Sequence, residues 1–145
     1  MNFDPNCIFC KIVKKQAPAS VIYENQNVLA FLDIKPLTAG HTLVIPKAHY
    51  IDIFDTPEIQ LTKVHKVAKQ IALALEKTTA ADGISIVQQN CRAAGQDIFH
   101  LHVHVVPRFE GQKLPQFAEL REVDRTKLDD LAFKIKQNLP TTKEL

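Results

Sequence analysis

Apolar positions recur along this chain in two rhythms, and the changes from one to the other mark the elements. Val21-Ile22-Tyr23-Glu24 and Val28-Leu29-Ala30-Phe31-Leu32 are short runs of β-favouring side chains joined by Asn25-Gln26-Asn27, which predicts a hairpin. Thr42-Leu43-Val44-Ile45 reads as a third, buried strand, entered through Ala39-Gly40 and expected to stop at Pro46, which has no backbone donor. From Thr56 to Ala80 the rhythm lengthens. Val64, Val67, Ala68, Ile71 and Leu75 form a helical stripe, with Thr56-Pro57 as cap and first-turn proline and Asp82-Gly83 as the stop. Ile84 to Val87 and Leu101 to Val106 return to strand patterning around a Gly-containing loop, the second run ending at Pro107. A short helix fits Cys7 to Lys15, before Pro18, and an amphipathic one fits Leu128, Leu131, Ala132, Ile135 and Leu139, closed by Pro140. Strands with helices packed on one side predict an α+β fold.

A chain of 145 residues suits one core, so residues 1–145 are expected to form a single domain. Acidic and basic residues nearly cancel to +2, and no basic run exceeds Lys14-Lys15, which argues against duplex nucleic acid as a partner but leaves a nucleotide open. Nothing approaches the roughly 20 consecutive apolar residues of a membrane span, and Met1-Asn2-Phe3-Asp4-Pro5 lacks the order of a signal peptide. Three cysteines are an odd number, and Cys7 and Cys10 are spaced as a metal pair rather than as part of a secreted disulfide framework. The expected location is the reducing cytoplasm.

His100-Leu101-His102-Val103-His104-Val105-Val106 places three of the six histidines at spacing two. In a strand all three face one side, with neighbours about 6.6 Å apart, and they can converge on a phosphate or a metal ion. Two chemistries fit that face: a catalytic zinc held by three imidazoles with water in its fourth position, or direct attack on phosphorus by one imidazole. His41, before a strand, and His65, on a charged helix face, are read as structural or solvated.

The pattern His-φ-His-φ-His-φ-φ, approached through Ala94-Gly95-Gln96, resembles the signature of the histidine triad family. The likeness extends over Cys7-Ile8-Phe9-Cys10-Lys11-Ile12, Ala30-Phe31-Leu32-Asp33-Ile34 and Gly40-His41-Thr42-Leu43-Val44-Ile45-Pro46-Lys47-Ala48-His49, so it covers a core of residues 7–108 and leaves 109–145 as a C-terminal extension. It implies an antiparallel five-stranded sheet with one long and one C-terminal helix. It also implies a nucleotide hydrolase or nucleotidyl transferase in which His102 attacks an α-phosphorus, with His100 and His104 beside it. His104 would hydrogen-bond a phosphate oxygen, and the backbone of Gly95, Gln96 and Asp97 would donate to the same group. An amide at Gln89 or Asn90 would lie near the phosphate. Phe9, Ile12, Phe31 and Ile34 would wall a base pocket, purine by preference, and Asp33 would accept ribose hydroxyls.

One residue departs from the resemblance. Many relatives carry serine or threonine after Gly-Gln, whereas this chain has Asp97, whose ionised carboxylate would repel phosphate. The resemblance further implies a structural Zn2+ on Cys7, Cys10, His49 and His100, closed to water and separate from the chemistry, and a homodimer. Candidate substrates are nucleoside phosphoramidates, aminoacyl-adenylates and dinucleoside polyphosphates. Two other readings stay open at this point: a nucleotide-binding regulator with negligible turnover, and a metallohydrolase with zinc on the triad itself.

Overall fold

The computed structural model describes residues 1–141. In chain order the elements are α1 (Ile8–Val13), β1 (Val21–Glu24), β2 (Val28–Leu32), β3 (Thr42–Pro46), α2 (Glu58–Thr79), β4 (Gly83–Gln88), β5 (Val103–Arg108) and α3 (Arg125–Gln137). The strands form one antiparallel sheet in the order β1-β2-β3-β5-β4. The α+β class, the five strands, the long helix and the C-terminal helix all agree with expectation.

Strand alternation divides the core into two faces. Val28, Ala30, Leu32, Val44, Val103 and Val105 meet Val64, Val67, Ala68, Ile71 and Leu75 of α2 and Leu128, Ala132 and Ile135 of α3. Ile71 and Leu75 are fully buried, each contributing on the order of 2 kcal/mol of transfer free energy. On the other face Leu29, Phe31, Leu43 and Ile45 pack on Cys7, Phe9 and Cys10 at the start of the chain. That second face carries the triad.

Both prolines expected to end strands lie inside them, Pro46 at the end of β3 and Pro107 within β5. The carbonyl of Pro46 accepts from His100 Nε2 at 2.8 Å, and that of Pro107 from Thr38 Oγ1 at 2.7 Å. In an antiparallel strand a residue's nitrogen and carbonyl point to the same side. The missing N–H groups therefore fall where β3 and β5 no longer face each other. Their ladder consists of Thr42↔Val105, Leu43↔His104 and Val44↔Val103, while Pro107 still pairs with Ile84 on its other side.

Helix α2 begins later than expected. Pro57 stands at its N-cap without a side-chain cap bond, and the Thr56 hydroxyl donates to Asp52 O instead. The helix ends at Thr79 because Ala80 turns left-handed (φ 56°), before Asp82-Gly83. Helix α3 is capped by the Asp124 carboxylate on Thr126 N–H and tied to β1 through buried Ser20, which donates to Asp129 and accepts from Arg125. Just before it, Val123 N–H bonds Ile34 O, pinning the extension to the β2–β3 loop. Among the described residues no helix is long and apolar enough to cross a membrane.

Candidate active site

The register sets Leu43 and Val87 on either side of His104. The His102 and His104 ring centroids lie 4.9 Å apart, and Phe9 packs edge to face with His102 at 5.3 Å and with His100 at 5.8 Å between centroids. The three imidazoles thus share the face that α1 covers. The regular ladder of β5 starts only at Val103; ahead of it Leu101 N–H bonds Tyr50 O.

His102 is buried, and its Nδ1 lies 2.7 Å from the carbonyl oxygen of His100. A carbonyl only accepts, so the ring proton of neutral His102 sits on Nδ1 and the lone pair on Nε2. Asp97 Oδ1 stands 3.9 Å from that Nε2, and its side chain is 61% exposed.

His104 is oriented by a residue to which the sequence reading gave no chemistry. Leu37 N–H donates to His41 Nδ1 at 3.0 Å, so neutral His41 carries its proton on Nε2. That Nε2–H donates to His104 Nδ1 at 2.9 Å, which leaves His104 with its own proton on Nε2. Burial first, then the neighbouring histidines, hold both rings neutral: His41 and His104 are each lowered to about 4. The pair presents one lone pair, on His102, beside one N–H, on His104.

Asp33 Oδ2 approaches His41 Nε2 at 3.6 Å, so Asp33, His41 and His104 bring three ligand-type atoms together. This cluster suits a proton rather than a metal. A cation on His41 Nε2 would force the ring proton onto Nδ1, against the Leu37 N–H already pointing there.

The other expected residues divide into free and occupied groups. Asp33 turns its chain through Lys35 N–H to Oδ1 at 2.9 Å, leaving Oδ2 toward the site. Burial raises its pKa, opposed by the Lys35 N–H. Phe9 and Phe31 meet edge to face at 5.4 Å inside the core, each 3% exposed, so neither ring is open to a base as the resemblance implied; Ile12 packs beside them, and Ile34 is exposed. Gly95 has φ +94°, and the Gln89 side-chain amide occupies the space a Cβ would take, 2.6 Å from Nε2. Gln96 is buried, and its side chain is spent on Cys91 N, Ile51 O and Ile98 O. Asn90 Oδ1 is likewise taken by Ile53 N–H and by Gln88. Of the three backbone donors expected on this turn, Gly95 N–H goes to Arg92 O and Gln96 N–H to Cys91 O; among the described residues that of Asp97 has no internal partner.

Next to the triad, Cys7, Cys10, His49 and His100 bring their four ligand atoms within 4.8 Å of one another. His100 Nδ1 lies 3.5 Å from Cys7 Sγ, 3.6 Å from Cys10 Sγ and 3.2 Å from His49 Nδ1, and Cys10 Sγ is 3.3 Å from His49 Nδ1. Tetrahedral zinc, with bonds of about 2.3 Å to sulfur and 2.05 Å to nitrogen, requires S···N edges of about 3.6 Å and N···N edges of about 3.4 Å. The donor set and spacings fit that ion to within a few tenths of an ångström. His100 Nε2–H bonds Pro46 O, so its Nδ1 lone pair faces the cluster, and Asp4 N–H and Cys10 N–H lie against Cys10 Sγ and Cys7 Sγ. Burial foremost pushes the Cys10 thiol up to about 11, so a metal there must displace a proton.

The HIT domain family matches residues 14–111. An uncharacterised HIT-like protein of Methanocaldococcus jannaschii is 44% identical over 131 residues, covering 90% of this chain and 98% of that one. A crystal structure of a zinc-bound histidine triad family protein from Mycobacterium smegmatis superposes with a TM-score of 0.82 at 42% identity, covering 92% of each chain. An adenylylsulfatase of Arabidopsis thaliana is 38% identical over 116 residues, covering 80% of this chain and 59% of that protein. The chain belongs to the HIT family, whose members include hydrolases.

Proposed function

We propose that this protein is a nucleotide hydrolase or nucleotidyl transferase that works through a covalent nucleotidyl-histidine on His102. In the first step Nε2 attacks the α-phosphorus, the Nε2–P bond forms as the bond to the leaving group breaks, and the leaving group takes up a proton from solvent, which the attacking water gives back in the second step. Water then cleaves the Nε2–P bond, releasing the nucleoside monophosphate and restoring the imidazole. The observation that carries this reading is the Nδ1–H bond of His102 to the His100 carbonyl, which leaves the lone pair on Nε2 without help from an external base.

His104 supports the same step. Its Nε2–H, set by His41, is a fixed donor for a phosphate oxygen on which charge builds, and such donors are worth about 10²- to 10³-fold in kcat. Asp97 N–H is a second candidate donor. Asp33 Oδ2 suits a ribose hydroxyl. Relatedness to an adenylylsulfatase supports an adenylyl substrate.

Cys7, Cys10, His49 and His100 would hold a structural Zn2+, in keeping with the zinc-bound relative. With four protein ligands the ion has no open position. Its contribution is to brace the start of the chain against the strand that carries the nucleophile. Intact-protein mass spectrometry after mixing with adenosine 5′-phosphoramidate tests the reading. An adenylyl adduct is expected in the native chain and none in His102→Ala. Undiminished turnover in that variant would refute it.

A further inference from the structure

We propose that Asp97 is a specificity-determining residue that makes this site prefer nucleotide substrates whose leaving group is a positively charged amine over those that release a phosphate chain. The inference deepens the nucleotidyl-histidine reading and rests on it. The carboxylate Oδ1 stands 3.9 Å from His102 Nε2, the atom that must meet phosphorus. The His102 ring is 4% exposed and the Asp97 side chain 61%, so a substrate reaching Nε2 from solvent does so beside this carboxylate. An attacking nitrogen comes within about 3–3.5 Å of phosphorus. The carboxylate then lies no more than about 7 Å from the reacting centre, near the first atoms of the departing group.

A second observation points the same way. Asp33 Oδ2 lies 3.6 Å from His41 Nε2, which itself bonds His104 Nδ1, so a second carboxylate stands beside the triad. Asp33 and Asp97 thus place two acidic groups next to the reacting histidines. A departing di- or triphosphate would carry two or more negative charges toward those carboxylates. An amine bearing an ammonium group would find a partner in Asp97. At about 6 Å, with an effective dielectric between roughly 40 and 80, one unit of leaving-group charge changes the rate or affinity by about three- to tenfold.

Exposure of Asp97 makes the contrast sensitive to ionic strength. The preference adds no chemical step: the phosphorus–nitrogen bond breaks as the His102 bond forms, and the field selects which substrate arrives.

The test is a charge series of adenylyl compounds: AMP phosphoramidates of 1,2-diaminoethane (cationic), propylamine (neutral) and β-alanine (anionic), with diadenosine triphosphate. kcat/KM is measured for the native protein and Asp97→Asn at two salt concentrations, and Kd for His102→Ala with and without Asp97→Asn. In the native protein kcat/KM should fall about three- to tenfold per unit of negative charge, more gently at high salt, and the slope should collapse in Asp97→Asn. A flat series in the native protein, the same slope in Asp97→Asn, or an equal loss for all four compounds would overturn the proposal. The Kd series reads the same slope without turnover. A slope in Kd that Asp97→Asn abolishes, with no turnover in the native protein, would sink the nucleotidyl-histidine reading and uphold the role of Asp97.

Discussion

Replacing His41 with phenylalanine should damage the protein in a pH-dependent way that separates its role from simple packing. The ring is buried, so a side chain of similar size keeps the volume while deleting both hydrogen bonds. Leu37 N–H and His104 Nδ1 each lose a partner. Stranding a buried polar group costs about 1–3 kcal/mol, so the pair predicts a loss of roughly 2–6 kcal/mol near pH 7. In the native fold His41 is lowered to about 4, chiefly by burial, whereas in the unfolded chain it titrates near 6.5. Below pH 6.5 the unfolded state therefore binds the extra proton, and stability falls as pH falls until the folded ring also titrates near 4. Between pH 7 and pH 5 this group alone should cost the native protein about 2 kcal/mol. His41→Phe lacks that group, so its deficit relative to the native protein should shrink by about the same amount at pH 5. Urea unfolding of both proteins at pH 7 and pH 5, at matched zinc, measures the difference. Parallel pH dependences would refute the assignment of His41 as a buried neutral ring.

Chelation offers a second test. One zinc per chain is expected by elemental analysis, lost in Cys10→Ser, and its removal should destabilise the fold by about 2.7 kcal/mol when free zinc had stood at ~100 times its Kd. Because the Cys10 thiol must give up its proton, zinc affinity should weaken as pH drops, read by competition with a chromophoric chelator; affinity independent of pH would contradict a thiolate ligand. Gly95→Ala places a methyl 2.6 Å from Gln89 Nε2 at φ +94°. The backbone strain should cost about 1 kcal/mol by thermal melting, and displacement of the Gln89 amide should lower kcat/KM at least tenfold. Unchanged kinetics would mean that Gln89 does not serve the phosphate.

Much of this architecture was legible in residue order because alternation and helical spacing survive without tertiary knowledge. The β1–β2 hairpin, the stripe of α2 and the common face of His100, His102 and His104 all follow from them. Pro46 and Pro107 misled because a proline blocks a ladder on one side only, and the free side was set by how far β3 and β5 overlap. His41 was missed for a related reason. It lies two residues before Leu43, so it shares that residue's face, but only the β3–β5 register puts Leu43 opposite His104. Strand order is not written locally. Gln96 and Asn90 show the reverse: amides that suit a phosphate by type are consumed by the turns around them. The metal set combined a spacing visible at Cys7 and Cys10 with two histidines that only the family likeness supplied.

The short β3–β5 ladder also gives the molecule a mechanical character. Three residue pairs join a plate made of β1, β2 and β3 to a second plate made of β5 and β4, and α2 backs both. On the face that α1 covers, the joint is riveted at one end by His49 against His100 and at the other by His41 against His104. Asp33, proposed to meet the ribose, follows the first plate, while His102, the proposed nucleophile, leads into the second. A nucleotide bound as proposed straddles the joint, and breaking its α-phosphorus bond cuts the leaving half loose while the adenylyl half still spans both plates. Substrate, covalent intermediate and a metal held by the cysteine–histidine cluster would then act as successive fasteners on one seam.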